Sequence, residues 1–118
     1  MSVRRHTISF KHAFDGVLYT FRTQPNFRIH TLAAILVIFL GFTYSISSTQ
    51  WLFLALTISL VFVTEMLNTS LESVTDLVTD KYHLSAKIAK DVSAGMVLLT
   101  AVASVVIGLI IFIPYLIR

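Results

Sequence analysis

Glu65-Met66-Leu67-Asn68-Thr69-Ser70-Leu71-Glu72-Ser73-Val74-Thr75-Asp76 is the stretch that decides the fold. It follows Trp51 to Val63, where almost every residue is apolar, with no break in helical character. An α-helix turns about 100° per residue, so positions 65, 68, 69, 72 and 76, spaced i, i+3, i+4, i+7 and i+11, share one stripe. Met66, Leu67, Leu71, Val74 and Val78 lie away from it. At the helical rise the stripe runs roughly 16 Å along the axis. Carboxylates and an amide that begin inside an apolar span are unfavourable in lipid, so they mark a functional site.

Working outward, composition agrees with a membrane protein. The chain has 118 residues, the length of one domain, and 56% of them are hydrophobic. Its mean hydropathy of +0.83 is too high for an ordinary soluble domain of this size. A helical span needs about 20 apolar residues, and three stretches qualify, roughly 29–48, 51–72 and 92–117. The first apolar run starts only near Ile29, with no small-residue cleavage pattern, so no secretory signal peptide is expected. Cysteine is absent, which excludes disulfides, thiolate metal sites and a cysteine nucleophile.

The formal net charge of +3 bears on orientation rather than on nucleic acid. Arg4, Arg5, Lys11, Arg22 and Arg28 precede the first span, and Lys81, Lys87 and Lys90 lie between the second and third. The 44–50 connection carries no charge, and only Arg118 follows the third span. The positive-inside rule therefore predicts a multi-pass protein of the cell membrane with a cytoplasmic N-terminus and a cytoplasmic 73–91 loop.

Residues 7–23 read as an amphipathic surface helix, with Phe10, Phe14, Val17 and Phe21 at helical spacing and Lys11, Asp15 and Arg22 off that face. Such a helix serves as an interfacial anchor or lies on the ends of the other helices. Gln24-Pro25-Asn26 breaks it, and Asn26 is the expected cap of the next helix. The three long helices are expected over about 29–48, 51–78 and 86–117, with Ser85 capping the last. His30, at the inner edge of the first span, reads as an interfacial histidine with no chemistry. Tyr44 and Trp51 read as interfacial aromatics beside the Ser45–Gln50 turn. Ala94, Ala101 and Gly108 form a small-residue stripe suited to close helix packing.

Two polar sets face each other across the 79–84 loop: Glu65, Asn68, Glu72 and Asp76 before it, Lys87, Lys90 and Asp91 after it. Hard carboxylate oxygens suit Mg²⁺, which takes one or two of them plus substrate phosphates. A lysine is a point charge for phosphate oxygens. A buried glutamate can act as a general base. That inventory fits phosphoryl transfer from a nucleotide to a hydroxyl. The chain has no GxxxxGK[ST] loop, GxGxxG turn, HRD or DFG motif. On spacing alone, Glu72, Asp76, Lys87 and Lys90 are equally a solvated helix end with ion pairs.

The block from Glu65 to Leu77, together with Thr79-Asp80-Lys81-Tyr82-His83-Leu84-Ser85-Ala86-Lys87-Ile88-Ala89-Lys90-Asp91, resembles the prokaryotic diacylglycerol kinase family. The ThrAspLys loop is most similar to its Gram-positive-type undecaprenol kinase branch. Gly16 and Asn26-Phe27-Arg28-Ile29-His30 also fit. The resemblance covers nearly the whole chain and implies a homotrimeric bundle of three-span subunits. It implies ATP and Mg²⁺, and a membrane lipid alcohol, undecaprenol or diacylglycerol, as acceptor. It makes Glu65 the general base with Asn68 its neighbour, and Glu72 the metal ligand with Asp76 nearby. Lys90 would hold phosphate, Asp91 would support the nucleotide, and Lys87 belongs to the same nucleotide-binding group. Four residues before the arginine of NFR the family commonly has a second metal-binding glutamate. Here that position is Gln24, a neutral and weaker ligand, with Asp15 on the preceding helix as the alternative.

The expectation is thus an all-α membrane protein, one lipid kinase domain over 1–118, phosphorylating a lipid alcohol at the cytoplasmic face. The rivals are a small ion-coupled transporter with Glu65 as its proton site, and an impaired family member that binds lipid or partners. A transporter carboxylate belongs near the midplane, whereas this stripe runs out to meet lysines.

Overall fold

The computed structural model describes residues 3–118. They form four helices: α1 (Val3–Thr23), α2 (Pro25–Thr43), α3 (Ser48–Val78) and α4 (Leu84–Leu116). α2, α3 and α4 are each long and apolar enough to cross a membrane. α3 has 31 residues, about 46 Å of helix, so it outruns a hydrocarbon core of about 30 Å. That excess lets one helix carry both an apolar span and the polar stripe beyond it.

The α1–α2 break sits at Gln24, whose backbone is extended (φ −111°, ψ 106°). The residue before a proline is pushed out of the helical region, while Pro25 suits the first helical position because its missing N–H needs no partner there. α2 therefore starts directly after Gln24, and Asn26 lies inside its first turn instead of capping it. Gln24 occupies the N-cap position without a side-chain cap bond. The Arg28 guanidinium secures the joint by donating to the carbonyls of Phe21 (3.2 Å) and Arg22 (3.0 Å), which the end of α1 leaves free.

α3 opens with a capping box. The Gln50 amide donates to Ser47 Oγ (3.2 Å), and Gln50 Oε1 accepts from the Ser47 amide (2.9 Å). The cap of α4 is His83, not Ser85: the Ser85 amide donates to His83 Nδ1 at 3.1 Å.

α3 and α4 form the main helical pair, an antiparallel hairpin along which α2 lies. Its dense apolar core is at the α2–α3 turn, where Ile46, Leu54, Ile111 and Phe112 are buried. Tyr44 and Trp51 pack against that core, so the two residues read as interfacial aromatics also hold the turn together. Tyr44 stacks on Tyr115 with ring centroids 5.6 Å apart, and the Tyr115 hydroxyl donates to Gln50 Oε1 at 2.8 Å. Lipid tails are as apolar as leucine, so such contacts gain from van der Waals fit more than from water exclusion. Elsewhere large side chains such as Leu32, Leu99 and Ile110 point outward, as membrane-facing surfaces do. The tight core thus sits at one end of the bundle, and the polar stripe at the other.

Candidate active site

Helical periodicity sets the first element of the site. Glu65 projects from α3 toward α2 and is only 2% exposed. Its Oε1 lies 3.2 Å from Nε2 of His30 on α2, but without the alignment of a hydrogen bond, so that oxygen is buried and unsatisfied. A buried carboxylate without full hydrogen bonding is strongly disfavoured, and among the described residues Glu65 Oε1 is the buried side-chain oxygen left without a hydrogen bond.

From Glu65 toward the α3–α4 loop the stripe meets α4 in a series of polar contacts. One turn on, Asn68 Oδ1 accepts a hydrogen bond from Ser93 Oγ (2.7 Å), and Ser93 is 1% exposed. With its oxygen held, the Asn68 amide keeps its NH₂ donors for another partner. On the other side of Glu65, the hydroxyls of Thr64 and Thr100 are 2.9 Å apart. At the loop end, Lys90 Nζ donates to Asp76 Oδ1 (2.7 Å), both side chains about half exposed.

Glu72 lies between these contacts, half-buried and in no ion pair among the described residues. Lys90 stands before the apolar stretch of α4. The hydrogen bond that it donates to Asp76 holds its ammonium above the ordinary lysine value; burial opposes this, and the Asp76 and Glu72 charges reinforce it. Glu72, Asp76 and Lys90 therefore share one electrostatic neighbourhood.

Lys87 and Asp91, read as facing α3, instead pair with each other along α4, the i,i+4 arrangement of a helix surface. Both still border the cleft of about 310 Å³ at the loop, with Asp76, Tyr82, His83 and Lys90. Gln24 is half-buried at the α1–α2 joint. Its amide Nε2 is 3.5 Å from Thr23 Oγ1, and no hydrogen bond joins it to Glu72. Asp15 is exposed on α1.

The donor set fits Mg²⁺ carried in with a nucleotide, not a preformed cage. Among the described residues no three carboxylates, imidazoles or thiols converge. Mg²⁺ commonly needs only one or two carboxylates, with phosphates and waters completing six positions. Glu72, in no ion pair among the described residues, offers one carboxylate, and Gln24 offers only a neutral amide oxygen.

Sequence reasoning missed the partners on the other helices. Lys90, Ser93, Val97 and Thr100 are spaced i, i+3, i+7 and i+10, a stripe that could have pointed to Ser93 and Thr100 as the α4 counterparts of the acidic face. No local signal separates His30 from an idle interfacial histidine, because only the packing of α2 on α3 brings it to Glu65.

The family model described as prokaryotic diacylglycerol kinase matches residues 11–112. An undecaprenol kinase of Bacillus subtilis is 46% identical over 106 residues, covering 90% of this chain and 86% of that protein. A diacylglycerol kinase of Synechocystis is 48% identical over 108 residues, covering 91% of this chain and 62% of that protein.

Proposed function

The chain belongs to the prokaryotic diacylglycerol kinase family, and from that premise we propose how its residues divide the work. The protein is a multi-pass membrane enzyme that phosphorylates a membrane lipid alcohol with ATP and Mg²⁺. The observation that carries the residue roles is the polar series along α3 and α4, from buried Glu65 through Asn68–Ser93 and Glu72 to the Asp76–Lys90 pair. It runs from an apolar level, suited to a lipid hydroxyl, to an exposed level, suited to a nucleotide.

Glu65 is the general base. Its carboxylate accepts the proton of the acceptor hydroxyl as that oxygen bonds to the γ-phosphorus and the bond to the ADP oxygen breaks. Asn68, anchored by Ser93, turns its NH₂ toward the reacting groups. Lys90 exchanges Asp76 for phosphate oxygens, and Asp76 keeps the ammonium in place until they arrive. Lys87, with Asp91 as its partner, adds charge at the cleft mouth. Glu72 contributes the carboxylate for the nucleotide's Mg²⁺, with Gln24 as the weaker second ligand. When bound, that ion neutralises charge on the transferring phosphoryl group.

The proposed orientation puts the N-terminus and the α3–α4 loop in the cytoplasm, on the strength of the basic residues around α1 and the loop. In the proposed homotrimer of three-span subunits, α1 lies on the membrane surface as an amphipathic helix. The small-residue stripe supports the assembly: a Cβ at Gly108 would meet nothing within 4 Å of its own subunit, so close approach there is left for another helix. The reading treats 1–118 as one kinase domain. Nothing in the apolar spans reads chain length, and undecaprenol and diacylglycerol are the two candidate acceptors.

Purified protein in lipid, given radiolabelled ATP and each lipid in parallel, tests the acceptor. Label is expected in at least one, and the ratio of kcat/KM ranks them. Label in neither would overturn this acceptor class. Mass measurement in mild detergent tests the trimer, and an active monomer would refute it.

A further inference from the structure

We propose that His30 is the positioning residue for Glu65, holding the carboxylate in the orientation in which it accepts the hydroxyl proton. The inference rests on the reading of Glu65 as the base. The two residues come from different helices, and Nε2 of His30 is 3.2 Å from Oε1 of Glu65. That oxygen has no hydrogen bond among the described residues, although the glutamate is 2% exposed. A small rotation of the ring aligns its N–H with the carboxylate and supplies the missing donor. Hydrogen bonds to an ionised group are the shorter and stronger kind.

Three consequences follow from the chemistry. A donor at Nε2 commits the neutral ring to the tautomer that carries its proton on that nitrogen. One carboxylate oxygen is then occupied by α2, and the other is the one free to meet the acceptor hydroxyl. The bond also gives a donor to a carboxylate oxygen that is otherwise buried without one. The backbone favours this role over that of an idle interfacial side chain. Pro25 starts α2 at a defined residue, and Arg28 ties its first turn to the end of α1. His30 is presented from a braced turn, with its side chain 22% exposed. A base held this way reacts from one geometry, and a displacement of about 1 Å can lower a rate about 10²-fold.

The test compares His30→Ala, His30→Leu and His30→Gln with wild type, each as full-length protein in lipid. His30→Leu fills the space without a donor, so it replaces His30→Ala if the smaller residue fails to fold. The terminal amide nitrogen of glutamine reaches close to the Nε2 position and can donate. The alanine and leucine variants should lose about 10–10²-fold in kcat, with KM for ATP within about twofold of wild type. His30→Gln should recover most of the loss, and all variants should keep wild-type helicity and thermal midpoint. In a Glu65→Gln background, His30→Leu should cause no further loss, because both act at one proton transfer. Wild-type kcat in His30→Leu, or equal impairment of the leucine and glutamine variants, would overturn the proposal. An independent, multiplying loss in the double variant would do the same. Unimpaired turnover in Glu65→Gln alone would instead remove the base reading on which the proposal stands.

Discussion

Ser93 and Asn68 are joined by a hydrogen bond of 2.7 Å between α4 and α3, one helical turn from the buried carboxylate of Glu65. Inter-helix hydrogen bonds in membranes are worth about 0.6 kcal/mol on average, so little stability is expected to rest on this one, whose part in the proposed mechanism is to aim the Asn68 amide. Ser93→Ala should lower thermal stability by about 0.5–1 kcal/mol and lower kcat about tenfold or more, as the Asn68 amide turns. Thermal midpoint and kcat on the same preparation check this. A loss of stability without a loss of kcat would show that the Asn68 orientation does not matter to turnover.

Glu65→Gln should reduce kcat by about 10²–10⁴-fold, the usual range for a general base, while nucleotide binding stays near wild type. The amide is isosteric but cannot take the proton. Turnover and equilibrium nucleotide binding, measured side by side, separate the two effects.

Lys90→Ala should raise KM for ATP about tenfold or more, the worth of one charge-assisted contact, with little change in KM for the lipid. Because Asp76 holds the ammonium above its ordinary value, it stays charged throughout the neutral and mildly alkaline range. Its contribution is complete below the ordinary lysine value and fades only as pH rises through the elevated one. ATP affinity should therefore show no titration by this lysine between pH 6 and about 9. A change confined to the lipid KM would contradict the assignment.

Gln24→Glu should raise activity most at low Mg²⁺, because a carboxylate is a better ligand for a hard cation than an amide oxygen. The gain should be about tenfold, fade toward saturating Mg²⁺, and vanish in a Glu72→Gln background, where the proposed partner ligand is missing. Initial rates against Mg²⁺ for all four proteins of the cycle test this. Superimposable curves for wild type and Gln24→Glu would mean that residue 24 does not face the ion.

Gly41→Ala probes the opposite end of the bundle. A Cβ there would stand 2.6 Å from Cη2 of Trp51 and 3.1 Å from Ile46. Both neighbours belong to the packed turn, so the overpacking should cost about 1–3 kcal/mol. Gly16→Ala, where a Cβ meets nothing within 4 Å, should be neutral or slightly stabilising, since alanine is the better helix former. The difference between their thermal midpoints is the measurement.

The sequence by itself determined that this is an all-α membrane protein with three spans, because length and hydropathy of a helix are local properties. It also determined that Glu65, Asn68, Glu72 and Asp76 share a stripe, since helical phase is counted along one chain, and the motif spacing identified the family. It located the break at Gln24-Pro25 for the same local reason. Which residues meet across helices was decided only by the tertiary structure. The rotation of each helix about its axis and its shift against its neighbours leave little trace in a single sequence. That is why His30 came to light only when α2 packed on α3, and why Ser93 surfaced as the anchor of Asn68. Lys87 and Lys90 are three residues apart, yet Lys90 reaches Asp76 across the hairpin while Lys87 turns to Asp91 on its own helix. The phase of α4 against α3 makes that choice, and it is a property of the packed pair.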